Sequence, residues 1–544
     1  MKYSIGIDFG TSSGRVLIID IKTGSIKGMS VLQYPNGTIE KTLNNTPLPP
    51  NFALQDSKDY MDVIEKGIPE AIKSAGIRPN DIIGLGVDFT SSTMIVTDED
   101  LIPLSWREEH KENPHAYVKL WKHHGAIEEA NAMSNLAKTV NENWISHYGY
   151  EVTSEWLIPK VLELKNNAPD LLNKAAYIIE AGDWIVSRLV NENVRSNCAR
   201  GFKSFWNEAD GFSHDFFKEI DGDLPTIIDE KLEGKLVKIG ETAGYLTEKW
   251  SKMLGLPIGL PIATAIIDAH SALLGVGSIQ KNQFTMVMGT STCHLMLNEV
   301  QKKIRGISGS VKDAIIPDLF AYEAGQSAVG DLFEYIVEQA PVKYFEEAEA
   351  NDLSIFDLLE QKAAKTLAGS SGLVALDWHN GNRSPLSNNE LSGVLIGQTL
   401  HTKFEDIYRA HLEATAYGTM MILEAYEQFG MTVDEVFACG GLPQKNALLM
   451  QIYADILNRP IHISASDYAS GIGAAILGSV AGGGHNTIEE AVEDMKQPLL
   501  DVVKPIPKNV ATYKKLFEVY KTLHNYFGIE KSEKMKELKK IATR

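Results

Sequence analysis

Apolar and polar positions along this chain follow one scheme that occurs twice. Tyr3–Asp20 reads as YSIGID, FGTSSGR and VLIID, two apolar runs around a Gly/Ser/Thr break, which predicts a hairpin. Helical periodicity follows at Ser57–Ala75. LGVDFTSS (Leu85–Ser92) predicts a buried strand ending in an acid and hydroxyl residues, and TMIVTD continues as another strand. The pattern from Asn113 to about Ile220 is mainly helical and rich in Trp, and PIATAIIDAHSALLGVG (Pro261–Gly277) predicts a strand running into a helix.

The scheme restarts at FTMVMGTSTCHLML (Phe284–Leu297), again strand, hydroxyl turn, strand. Long helices are predicted over Asp331–Glu349 and Thr402–Phe429, the second opened by a Thr402/Glu405 capping box and closed by Gly430. Val433–Leu457 predicts strand, glycine turn, helix. A Lys-rich amphipathic helix, Tyr513–Lys540, ends the pattern; its stripe of Leu516, Tyr520, Leu523 and Phe527 suits packing on its own domain or on a neighbour. Alternating strands and helices place the chain in the α/β class, with a domain boundary near Gly277–Phe284.

A strand-turn-strand unit in each half suits a protein that grips a polyphosphate from both sides of a cleft, because each turn offers backbone N–H groups and hydroxyls. The 544 residues carry 71 acids against 52 bases, a net charge of −19. Nucleic acids and anionic membranes are polyanions, so this balance excludes both as expected partners and favours small solutes. The three cysteines, Cys198, Cys293 and Cys439, are too scattered for a disulfide framework or a metal knuckle and read as reduced thiols. The first apolar run is interrupted by Asp8, unlike a secretion signal, and the small-residue stretch Gly471–Gly484 is too short and Gly-rich for a membrane span. A soluble, cytoplasmic protein is expected.

Asp8, at the end of the first strand, would lie beside the phosphates, where a carboxylate serves if Mg²⁺ intervenes; Thr11, Ser12, Ser13 and Arg15 would donate to phosphate oxygens. The plainer alternative is a hairpin turn with a capping acid. Asp268 stands at a strand's carboxyl end, where open α/β sheets place ligands, and could accept a proton from a hydroxyl attacking phosphorus; it could equally cap the helix it opens. Lys203 alone reads as a solvated lysine, whereas Glu323, between apolar neighbours, needs a partner. Of Trp121, Trp144, Trp156, Trp184 and Trp206, at least three are expected in the core rather than against a sugar.

Taken in order, IDFGTSSGR, VDFTSS, IIDAHSALLG, MGTST, DWHNGNRSP (Asp377–Pro385), YRAHLEATAYG (Tyr408–Gly418) and CGGLPQKNALLMQIYADILNRP (Cys439–Pro460) resemble the FGGY carbohydrate kinases, of the superfamily that also holds actin and the heat-shock chaperone ATPases. The likeness runs from about Tyr3 to Gly484. TSEWLIPKVLEL (Thr153–Leu164), GFKSFW (Gly201–Trp206) and YEAGQSAVGD (Tyr322–Asp331) resemble the branch that phosphorylates ribulose. The resemblance implies an α/β fold of two ribonuclease H-like (actin-like ATPase) domains around a central cleft: 1–278 sugar-binding, 279–490 ATP-binding, and 491–544 a helical extension. It implies ATP and Mg²⁺ as cofactors and a homodimer. The implied reaction, in arabinose catabolism, is phosphorylation of L-ribulose, with D-ribulose and related pentuloses or pentitols as further acceptors, at the terminal hydroxyl to give ribulose 5-phosphate.

The resemblance also implies roles. Asp268 looks like the general base, Asp8 the metal ligand, and Thr90, Ser91, Ser92, Lys203 and Glu323 with Asp268 the sugar pocket. Gly289, Thr290, Gln326, Gly440, Gly441 and Asn446 look like nucleotide contacts beside those of the first turn. The lobes are expected to rotate about Gly275–Phe284 to exclude water, the rival nucleophile. One departure stands out: the family commonly has an acid two residues after the Trp of a segment like LWKHH (Leu120–His124), and here that place is His123. That contact must be made differently or from elsewhere. His123 and His124 are not expected to bind a metal, since neighbours on a helix point apart. Rival readings are an FGGY kinase for xylulose or a polyol, and a non-catalytic actin-like or chaperone-like ATP-driven machine; GFKSFW and EAGQS supply pocket chemistry such a machine does not need.

Overall fold

A computed structural model describes residues 1–140 and 143–542. Two seven-stranded sheets dominate it. In the first, Tyr3–Phe9 pairs antiparallel with Ser13–Asp20, which pairs antiparallel with Ile26–Gln33. On its other side Tyr3–Phe9 lies parallel to Ile82–Phe89, beyond which come Pro261–Ala263 and Ile266–Ile267. The second sheet repeats this plan. Gln283–Met288 pairs antiparallel with Thr292–Asn298, and that strand with Phe320–Gln326; Gln283–Met288 lies parallel to Glu435–Cys439, which lies parallel to Ile461–Ser464. Both predicted hairpins are therefore present, and each turn sits at the carboxyl end of its sheet's first strand.

The apolar runs explain the burial. Every residue of Tyr3–Phe9 is buried, as expected for a strand covered on both faces. A third core, around Met94, Trp144, Trp156, Leu157 and Phe217, holds the helical insertion of the first half together. Trp184 belongs to the first sheet's core. Trp144, Trp156 and Trp184 thus belong to core clusters, while Trp121 and Trp206 are half-buried.

The glycine-rich stretch forms the helix Ala469–Ala481, which lies in the second half of the sequence but packs on the first sheet. A methyl on Gly86 would stand 2.0 Å from the Ala474 carbonyl oxygen, and one on Gly6 would stand 1.8 Å from that of Gly471. The same helix crosses Asp268–Val276, where a methyl on Gly473 would meet Ser271 O at 1.9 Å. Small residues are needed here because backbone touches backbone. Gly86→Ala is expected to destabilise the chain by at least about 1–3 kcal/mol, the usual cost of overpacking, read as a lower urea midpoint.

Two predicted helices differ in detail. Asp331–Glu349 is split into Gly330–Glu338 and Val342–Ala350, because Pro341 has no N–H to continue the first helix. The helix ending at Gln428 starts at Phe404, and its reciprocal cap is Asp406 accepting from the Lys403 N–H at 3.1 Å. Thr402 instead accepts from Thr399 N, and Glu405 accepts from the Tyr344 hydroxyl. Past Pro507–Asn525 the C-terminal helix passes through a π turn at Tyr526–Glu530 before Ser532–Ile541. Tyr520 enters the second sheet's core and Leu516, Leu523 and Phe527 pack against it, so the stripe packs on its own domain. The last two residues of the 491–544 segment lie outside the described residues. Among the described residues no helix is long and apolar enough to cross a membrane.

Candidate active site

The two lobes meet around a cavity of about 380 Å³ whose lining includes Ser91, Ser92, Trp121, Lys203 and Glu323. Ser91 and Ser92 form the turn after the strand Ile82–Phe89, with Ser92 at φ 53°, in the left-handed region. Behind that turn, fully buried Lys160 donates to Ser92 O and Leu120 O, both at 2.6 Å, tying the serine turn to the loop that carries Trp121. The hydroxyl of Thr90 is paired with that of Thr93 at 2.9 Å, inside the same turn.

Lys203 ends the helix Asn197–Lys203 of the first lobe; Glu323 lies mid-strand in the second. Their ion pair spans the lobes, Nζ lying 2.7 and 3.0 Å from the two carboxylate oxygens. His270 Nε2 adds a third contact at 2.9 Å, and its Nδ1 is 3.2 Å from Cys198 Sγ. The lysine and histidine beside it hold the Glu323 carboxyl well below the usual range, outweighing burial. Glu323 thus finds the partner its apolar strand demands, and Lys203 is buried rather than solvated.

Asp268 opens the helix Asp268–Val276, and its Oδ1 accepts from Ala269 N at 2.7 Å. It is half-buried, but protein surrounds the carboxyl. Burial pushes it up to about 7, with Asp8 and Glu323 adding to the rise and the Ala269 N–H and Lys203 opposing it. Asp268 therefore feels both Asp8 beside the first turn and the Lys203–Glu323 pair, at a value suited to accepting a proton near neutrality. The expected pH dependence follows in sign: kcat/KM rises as Asp268 ionises, through about pH 7, when sugar phosphorylation is followed from pH 5.5 to 8.5.

Asp8 and Asp88 are register partners on parallel strands. Asp8 pairs with Arg15 at 2.8 Å, whereas both oxygens of fully buried Asp88 have no partner among the described residues. Burial, then Asp8 and Asp268, push the Asp88 carboxyl well up. Among the described residues no three His, Cys, Asp or Glu side chains form a ready metal cluster. A Mg²⁺ that takes most of its ligands from phosphate and water needs only one or two carboxylates, and the Asp8–Asp88 edge meets that need.

The predicted nucleotide residues divide. Ser12, Gly289 and Thr290 are exposed on the two turns. Ser13 is buried; Thr11 is half-buried, its hydroxyl accepting from Trp121 Nε1 at 3.1 Å, which links the first turn to the cavity that Trp121 lines. Gly440 has φ 96° and a methyl there would stand 2.3 Å from Met288 O, so it serves close strand packing, while one on Gly441 would meet nothing within 4 Å. Asn446 caps the helix Ala447–Leu457, accepting from Leu449 N at 2.7 Å. Gln326 stands apart: its amide donates to Asp377 and Thr415 O and accepts from Thr419, all inside the second lobe.

His123 is fully buried, with Nε2 at 3.0 Å from both oxygens of Glu163, which also takes Lys119 at 2.6 Å. It does not line the cavity, and Leu120–His124 is a turn rather than a helix. The cavity gains instead two residues that no local pattern singles out, Glu155 and Arg383.

Residues 3–275 match the N-terminal domain of the FGGY family of carbohydrate kinases and residues 284–482 its C-terminal domain. The ribulokinases of Staphylococcus aureus strains Newman and COL are 52% identical over 541 residues, covering 99% of both chains. Among solved structures, a xylulose kinase from Lactobacillus acidophilus superposes with a TM-score of 0.82 at 19% identity, over 97% of this chain and 99% of that one. Plasmodium falciparum glycerol kinase with ADP gives 0.75 at 16% identity, over 96% and 98%. These share the actin-like ATPase fold, with its two ribonuclease H-like domains around a cleft. By fold and by both halves of its sequence, the chain belongs to the FGGY family of carbohydrate kinases.

Proposed function

We propose that this chain transfers the γ-phosphoryl group of ATP to the terminal hydroxyl of ribulose, L-ribulose ahead of D-ribulose, giving ribulose 5-phosphate in the cytoplasm. The observation that carries the reading is the Lys203–Glu323–His270 cluster beside a carboxyl poised near pH 7. A polyol offers hydroxyls that donate and accept, and this cluster with Ser91 and Ser92 offers both complements. The 52% identity to ribulokinases supports ribulose over xylulose or a polyol. A sugar and ATP are the substrates of this family, which sets the chain apart from an ATP-driven machine without chemistry.

In this reading residues 1–278 carry the sugar and 279–490 the nucleotide, and 491–544 is a helical extension whose Tyr513, Phe517 and Tyr520 enter the second lobe's core. The two hairpin turns face the phosphates from opposite sides. Asp268 orients the acceptor hydroxyl and takes its proton as the oxygen attacks phosphorus in line. Mg²⁺, held by Asp8, would neutralise charge on the phosphates. Closure of the lobes, signalled by the Lys203–Glu323 pair across them, excludes water. ADP release measured with L-ribulose, D-ribulose, L-xylulose, D-xylulose and ribitol tests the assignment: L-ribulose is expected to give the highest kcat/KM, and a clear preference for xylulose would overturn it.

A further inference from the structure

Lys203–Glu323 is one of two ion pairs that line the cavity and join the lobes. Glu155 lies just ahead of the helix Leu157–Asn167, in the first lobe's insertion. Arg383 follows the strand Val374–Leu376 of the second lobe and passes over Gly325, where an added methyl would stand 3.2 Å from its Cδ. Its Nη2 donates to Glu155 Oε1 at 2.9 Å, with the side chains 23% and 17% exposed. His124 Nε2 lies 3.9 Å from the same Glu155 oxygen.

Arg383 lines the same cavity as Lys203, Glu323, Ser91 and Ser92. A guanidinium has five N–H donors in a fixed fork and no acceptor, and the one bond to Glu155 leaves donors for a ligand.

We propose that Arg383 is a further sugar-binding residue, donating to a hydroxyl or carbonyl of the sugar in the cavity it lines with Lys203 and Glu323, with Glu155 as the positioning residue that holds its guanidinium across the lobes. This rests on the sugar-kinase reading of the cavity but not on ribulose as the sugar. A sugar held by Arg383 of the second lobe and by Ser91 and Ser92 of the first bridges the lobes, so the clasp links occupancy to closure.

The test uses the full-length enzyme with whichever sugar of the panel it turns over best, so a wrong choice of ribulose and a wrong assignment of Arg383 separate. Arg383→Met is expected to raise the sugar KM at least tenfold, leave the ATP KM within twofold, and raise ADP formed per sugar phosphate above one as water reaches the phosphate. Glu155→Gln, which keeps shape and loses charge, is expected to move the same quantities less. A sugar KM within twofold of wild type in Arg383→Met, or sugar and ATP KM rising together at a ratio of one, would overturn the proposal. If Arg383→Met does not fold, Arg383→Lys supplies the same readouts, since an ammonium keeps the charge and loses the fork.

Discussion

Asp268→Asn is expected to lower turnover by roughly 10²–10⁴-fold, the range supplied by a positioned general base, while ATP and sugar still bind. Calorimetry checks binding and a coupled ADP assay checks turnover; an active variant would refute the role. A second effect separates this carboxyl from an ordinary helix-capping acid. The Asp268 carboxyl titrates at about 7 in the folded chain and near 4 when unfolded. Between those values the folded state binds more protons, so stability falls as pH rises, and the cost is complete above about pH 7. Asparagine cannot ionise and escapes it. The variant should therefore melt above wild type at pH 8 and level with it near pH 4, whereas loss of a simple cap would lower Tm throughout.

Lys203→Met should have the largest effect on both stability and sugar affinity. It leaves Glu323 buried beside His270 without its principal counter-charge, and breaking a buried pair from one side costs about 3–5 kcal/mol. Because Lys203, with the His270 hydrogen bond, depresses the Glu323 carboxyl against burial, the pair's stabilisation is present at neutral pH and is lost as pH falls below the ordinary carboxylate range. The difference between wild type and variant should accordingly shrink on acidification. Sugar KM should rise more than tenfold while ATP affinity changes little, and Glu323→Gln combined with Lys203→Met should recover part of the stability, since neither charge then remains unpaired. Equal losses for sugar and ATP would place the pair in general scaffolding instead.

How much of this was legible in the sequence depended on how local each signal is. Both hairpins could be read because a run of apolar residues interrupted by Gly, Ser and Thr has few other outcomes. Gly471–Gly484 could be recognised as unsuited to a membrane, but its role in bringing one helix against the first sheet's backbone depends on which strand lies opposite. Thr402 and Glu405 match the usual capping pattern one residue ahead of the cap at Lys403 and Asp406, so the local signal points to the wrong pair. Lys203 looked solvated since nothing near it in sequence announces Glu323, 120 positions away. Glu155 and Arg383 lie within the TSEWLIPKVLEL and DWHNGNRSP motifs, yet their pairing across 228 positions exists only in the fold. Gln326 illustrates the converse: a polar residue in a motif turns inward when interior groups such as Asp377 need a donor.

The most direct test of phosphoryl transfer to the sugar's terminal hydroxyl is ³¹P nuclear magnetic resonance of the reaction with ATP, Mg²⁺ and L-ribulose. One phosphate ester on carbon 5, formed in equal amount to ADP and at least about a hundredfold more slowly in Asp268→Asn, is the predicted spectrum. Inorganic phosphate without an ester, or an ester on carbon 1, would contradict the account.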